Sequence, residues 1–191
     1  MKRSILFFVV FTIVAANCFG QKGWRFRNED YVGVANGERG SYGQVRTLNG
    51  FSRSNWFLGV ETGLDYYGFS SIPLLLSVAR DLPIDKGNGL FFYANAGTNV
   101  PFYLPPKLSG GPNVKFRGGP AWGAGLGYAW KLSAQGSTAL LFSAGYSFKK
   151  LKEEDRNWGP CLNSAGCPFM DNVTTYNYLL RSWLFRVGLR F

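Results

Sequence analysis

Histidine is absent from the 191 residues. Its absence removes every mechanism that needs imidazole, including Ser-His-Asp nucleophiles and His-ligated zinc. Acidic side chains are scarce, 11 Asp and Glu against 21 Lys and Arg, for a formal charge of +10. Long apolar runs are missing after the first twenty residues, and a mean hydropathy of −0.06 excludes a bundle of transmembrane helices. Helical segments are missing as well. Beyond residue 21 no stretch combines helical period, length and freedom from Gly or Pro. The best candidate, residues 146–158, has Lys-Lys-Leu-Lys-Glu-Glu-Asp-Arg at its centre. It reads as a short surface helix or a solvated charged loop. What the chain has instead is 25 glycines with 6 Trp, 10 Tyr and 17 Phe, the composition of an all-β protein with many tight turns.

The first segment reads as an address. Lys2 and Arg3 precede an apolar run from Ile5 to Ala16, followed by small residues and a polar stretch from Gln21. A basic start, an apolar run of roughly 7–15 residues and a small-residue exit make a secretory signal peptide. The run falls short of the about 20 apolar residues of a membrane helix. Residues 1–20 are therefore expected to be cleaved, leaving 21–191 as one domain. Val14-Ala15-Ala16 offers a competing cleavage site, and Cys18 is a poor lipoprotein cysteine because Asn17 precedes it.

The rest of the chain carries period two. Trp56, Leu58, Val60, Leu64 and Tyr66 alternate with Phe57, Gly59, Glu61, Gly63 and Asp65. Ile72, Leu74, Leu76 and Val78 alternate with Pro73, Leu75, Ser77 and Ala79, and Trp122, Leu126, Tyr128 and Trp130 with Gly123, Gly125 and Gly127. Residues 138–149 and 182–191 repeat the pattern, and weaker strands fall at about 25–35, 41–50 and 89–99. The even count of eight suits a closed antiparallel up-and-down transmembrane β-barrel. One face of each strong strand is apolar and ends in Trp, Tyr or Phe, and the other holds Gly, Ser and charge. That suits a narrow polar lumen inside a lipid-facing wall better than a soluble lipocalin-like barrel with an apolar interior. Links at 50–54, 83–88 and 132–136 are short. At the other end 36–40 and 67–70 are short too, but 100–118 and 150–177 read as two long outer loops, the pattern of a bacterial outer-membrane barrel with extracellular loops.

Period two sends Gln44, Arg46, Glu61, Asp65, Arg186 and Arg190 into the lumen, alongside Phe57 and Leu184. Arg46 and Arg186 are then expected to neutralise Glu61 in a side-chain-filled, closed interior. A one-residue slip of register would send the whole set to lipid. Cys161 and Cys167, in one Gly/Pro/Asn-rich segment of an exported chain, are expected to form a disulfide. Lys107, Lys115 and Arg117 in the first long loop, and Lys149, Lys150, Lys152 and Arg156 in the second, are either ordinary solvated charge or contacts to lipopolysaccharide phosphates. Export keeps this positive charge from nucleic acid.

Little here carries chemistry. Glu61 and Asp65 sit four apart on one strand face, roughly 13 Å, too far for a shared-proton pair. The glycines at 123, 125 and 127 do not match GxGxxG, no GxxxxGK[ST] occurs, and no ligand spacing points to a metal or cofactor. No catalytic residue is expected.

Several stretches nonetheless resemble a known family. Phe26-Arg27-Asn28 through Val32-Gly33, Val45 to Phe51, Trp56-Phe57-Leu58-Gly59-Val60, Leu64-Asp65-Tyr66-Tyr67 and Ser71-Ile72-Pro73-Leu74 look like the small eight-stranded outer-membrane β-barrel proteins of the Bacteroidetes type. The terminal Arg186-Val187-Gly188-Leu189-Arg190-Phe191 resembles the aromatic-ended signal, here Phe191, read by the barrel-assembly machinery. The resemblance implies an outer-membrane, non-enzymatic structural or interaction protein, or an accessory subunit of a larger outer-membrane complex. Binding or transport of a small ligand or ions is the alternative. A lipid-modifying envelope enzyme is disfavoured, since those similar in size rely on histidine.

Overall fold

Alternating apolar and small or polar residues can satisfy both faces of a strand only where the two faces meet different surroundings. In the computed structural model, which describes residues 23–85, 88–103, 114–132, 138–159 and 170–191, this pattern closes on itself. Eight strands follow one another: β1 (Arg25–Gly37), β2 (Gly40–Arg53), β3 (Trp56–Asp65), β4 (Ser70–Asp85), β5 (Asn88–Tyr103), β6 (Val114–Lys131), β7 (Ala139–Gly159) and β8 (Met170–Arg190). Each pairs antiparallel with the next, and β8 returns to β1, so the sheet is a closed up-and-down barrel.

Register fixes the tilt. A path of directly opposed residues runs from Arg27 through Gly50, Gly59, Ser77, Asn95, Gly123, Ser147 and Ser182 to Gly37. It re-enters β1 ten residues beyond its start. Such a stagger inclines the strands by roughly 35–45° to the barrel axis and leaves an interior just wide enough for side chains.

The large apolar side chains point out. Leu58, Val60, Leu74, Leu76, Leu126, Phe185 and Val187 are all exposed, while their neighbours Phe57, Glu61, Leu75, Ser77 and Arg186 are buried. Trp56, Trp130 and Phe191 ring one end of this apolar wall; Tyr66, Trp122 and Trp183 ring the other. Bulky inward residues fit because glycine stands opposite them. A Cβ on Gly125 or Gly145 would come within 2.6 or 2.2 Å of the Tyr93 hydroxyl.

Three expectations about extent fail. β6 begins at Val114, β7 runs on to Gly159, and β8 starts at Met170. Most of 150–177 is therefore a paired ribbon rather than a loop, and Lys115 and Arg117 lie within β6, opposite Glu154 and Lys152. The charged stretch 149–156 is strand, not helix, because backbone pairing to β6 and β8 and an inward Leu151 at 0% exposure outweigh its helix-like composition. The signal segment 1–20, Lys107, Cys161 and Cys167 lie outside the described residues.

The β2–β3 turn holds Ser54 at φ 47° and Asn55 at φ 69°, the left-handed pair a two-residue hairpin needs. Only Asn is at ease there. Replacing Ser54-Asn55 by Asn-Gly should stabilise the barrel by about 1 kcal/mol, read as a higher urea midpoint of unfolding.

A sealed lumen built from paired charges

The interior is a stack of layers. At the end that holds the chain termini, Arg27 reaches Glu29 and Asp81, and Arg190 reaches the same two acids at 2.8 and 3.1 Å. Tyr31 donates its hydroxyl to the other Glu29 oxygen at 2.6 Å. Phe57, Phe91, Leu141, Leu48 and Ala79 fill the space around and above them.

Glu61 occupies the waist. Its Oε1 is shared by Arg186 at 3.3 Å and Arg46 at 3.5 Å, and its Oε2 accepts from Asn95 at 2.8 Å. Arg186 also donates to Ser143 and lies between the rings of Tyr31 and Tyr93, 4.8 and 4.4 Å from their centroids. Arg46 continues upward, donating to Asp65 at 3.1 Å and to the side-chain amide oxygen of Gln44 at 3.2 Å. Asp65 then takes Lys149 at 3.4 Å, whose ammonium also meets the Phe69 carbonyl and the Ser71 hydroxyl.

An apolar plug follows. The short β3–β4 link folds inward, so Tyr67 and Phe69 pack on Ala35, Leu151, Leu180 and Leu184, with Phe116 and Tyr178 against them. Gly68, at φ +70°, lets the link turn against Leu180. The Tyr67 hydroxyl donates to the Arg181 carbonyl at 2.7 Å. Outside this plug Tyr178 donates to Glu153, which pushes its hydroxyl up to about 12. Within the waist the enclosed space bounded by Glu29, Tyr31, Glu61, Ser77, Tyr93 and Arg186 is about 10 Å³, the room of one water.

The six side chains assigned to the lumen are thus inside the barrel, with Gln44, Arg46, Glu61, Asp65 and Arg186 at most 6% exposed. Period two did not reveal the rest of the set. Arg27 and Glu29 share the spacing of two that marks an inward face, as does Asp81 with Ser77 and Ala79, but the first strand is too polar for its phase to show. Lys149 is a correction. The sequence pattern puts it with the loop charges, yet it is 4% exposed and points into the lumen, because the strand continues beyond the apolar alternation. Arg117 is exposed but pairs with Glu154 at 3.2 Å, and Lys152 pairs with the same acid at 2.8 Å, so neither is an uncommitted phosphate ligand. Phe191 is half exposed, and its backbone N and O bond Asn28 at 2.9 and 3.3 Å.

No protein-family model and no curated protein matches this sequence. Two solved structures are similar in shape. Neisserial surface protein A (NspA) is 13% identical over 88% of this chain and 96% of its own, with a TM-score of 0.49. The outer membrane protein AlkL, solved by solid-state NMR in DMPC bilayers, is 13% identical over 90% of each chain at a TM-score of 0.47. Likeness at this level says nothing of role.

Glu61→Ala should leave Arg186 and part of Arg46 without a counter-charge in a dry interior and cost about 3–5 kcal/mol. Glu61→Leu combined with Arg186→Met should cost less than the single change, since no charge is then stranded. Unfolding in urea, followed by the gel shift between folded and unfolded barrel, measures both.

Proposed function

We propose that the protein is a bacterial outer-membrane barrel without catalytic activity, acting as a structural or interaction subunit of the envelope. The observation that carries this reading is the inside-out distribution: paired charges in a filled lumen, and a continuous apolar wall ringed by aromatics. A soluble protein would gain nothing from exposing Leu74, Leu76, Leu126, Phe185 and Val187 together. Closure lets a β-wall cross lipid with its backbone groups paired.

In this reading the termini lie on the periplasmic side and the β6–β8 extension stands outside the cell. The barrel-assembly machinery reads the Phe191 end during insertion, and lipopolysaccharide surrounds the outer rim, where Lys115 offers an exposed cation. The family type is the small Bacteroidetes barrel that the sequence resembles. Transport is disfavoured by the filled layers. An enzyme is disfavoured because the carboxylates of the filled layers, Glu29, Glu61, Asp65 and Asp81, are each held by a cation.

Two outcomes follow. Reconstituted in a planar bilayer, the wild type should pass no steady porin-scale current; sustained conductance would favour transport instead. Arg in place of outward Leu126 should destabilise the barrel by about 2–4 kcal/mol in lipid. A negligible loss in equilibrium unfolding from vesicles would show that this wall does not face the bilayer.

A further inference from the structure

The apolar wall has one interruption among the described residues. On β1 the outward series is Phe26, Asn28, Asp30, Val32 and Val34; on β2 it is Phe51, Asn49, Thr47 and Val45. Asp30 stands directly opposite Thr47 on one side and Leu189 on the other. Its side chain is exposed, and no partner for it exists among the described residues. Beside it, Asn28 donates to Asn49 at 2.8 Å, and Asn49 donates to the Thr47 hydroxyl at 3.2 Å. That relay keeps the neighbouring polar groups satisfied and leaves the carboxylate alone.

Depth makes the solitary charge costly. Phe26, Phe51, Trp56, Trp130 and Phe191 mark the terminal end of the wall. Asp30 lies four residues further along its strand than Phe26. With the tilt of such a barrel this is about 10 Å along the axis. The outward cations at that end, Arg53 and Arg80, instead lie over the rings of Trp24 and Trp56 at 5.8 and 5.1 Å, where an interfacial side chain can reach water. Asp30 is too short to do the same. Around it the surface is a shallow groove of about 440 Å³, walled by Val45, Leu64, Leu140, Val187 and Phe191 with Asp30 and Thr47 in its floor.

We propose that this strip is a lateral docking face within the membrane for the strand wall of a second, different barrel, whose Lys or Arg enters the groove and pairs with Asp30. The inference rests on the outer-membrane reading above and gives its interaction role a surface. Charge complementarity selects the occupant. A carboxylate in hydrocarbon is stabilised by a cation at the same depth, and the apolar groove walls suit the methylene stem of a long basic side chain. A second copy related by an axis along the membrane normal would have to offer a cation at the same depth, and among the described residues the outward cations at this end, Arg53 and Arg80, stand level with Trp56 instead.

The test places a photoreactive benzoylphenylalanine at Thr47 of the full chain in its native membrane, followed by sequencing of the adduct. The expected product joins Thr47's position to a membrane strand of another barrel, within two positions of a Lys or Arg. Asp30→Asn should reduce its yield at least fivefold and Asp30→Glu should retain most of it, with both variants keeping the folded gel mobility. The same group at Leu76, on the far wall, should give no such product. Adducts to a second copy, to lipid alone, or undiminished by Asp30→Asn would overturn the proposal while leaving a membrane-embedded sealed barrel intact. Recovery of the protein outside the membrane fraction would overturn both readings.

Discussion

Everything inside this barrel depends on Glu61 being shared between Arg46 and Arg186. The acid sits on β3 and its cations on β2 and β8, so the second of these pairs exists only once β8 has returned to β1. Taking three charges out of water costs several kcal/mol for each ion, and only close mutual pairing offsets that. The ion pairs therefore add little to net stability but penalise every arrangement in which closure is incomplete. Lysine and arginine elsewhere in the lumen follow the same rule: each contacts a carboxylate, and most also lie over an aromatic ring, as Arg27 does over Phe57 and Arg190 over Phe91.

Filling the lumen with charge settles what the outer wall must be. An eight-stranded barrel has room inside for one layer of side chains from each strand. Polar residues occupy it together with a few large aromatics, accommodated by glycines such as Gly125 and Gly145 beside Tyr93. The aliphatic residues that a soluble barrel would bury are left for the outside. Exposed Leu76 and buried Ser77 on the same strand show the inversion within two residues. Among the described strand residues, the outward carboxylate of Asp30 is the exception that this logic makes conspicuous.

Much of this was legible in the amino-acid order because alternation is a local property. Trp56 to Asp65 alone gives strand, phase and the inward position of Glu61. Alternation puts Arg46 and Arg186 on the same inward side as Glu61, and they do meet it, but it does not reveal that Arg190 meets Glu29 and Asp81 or that Lys149 meets Asp65. Arg186 and Glu61 are 125 residues apart, and their meeting depends on a ten-residue stagger set by all eight pairings. The far ribbon hides its strands for a different reason. Residues 149–154 carry charge on both faces, since outside the lipid belt a strand needs no apolar side, so the period vanishes while the hydrogen bonding continues. Lys149 fell at that boundary, and a lumen residue passed for a loop residue.

In an inside-out barrel the apolar face of each strand meets lipid while the opposite face is sealed. A nitroxide scan of β4 in lipid bilayers addresses it most directly. Oxygen accessibility should peak at positions 72, 74, 76 and 78 and fall at 71, 75, 77 and 79, with a water-soluble nickel reagent reaching neither set. Nickel accessibility at the inward positions would mean an open lumen. Oxygen peaks in the opposite phase, or the loss of any period of two, would contradict the barrel's inside-out construction.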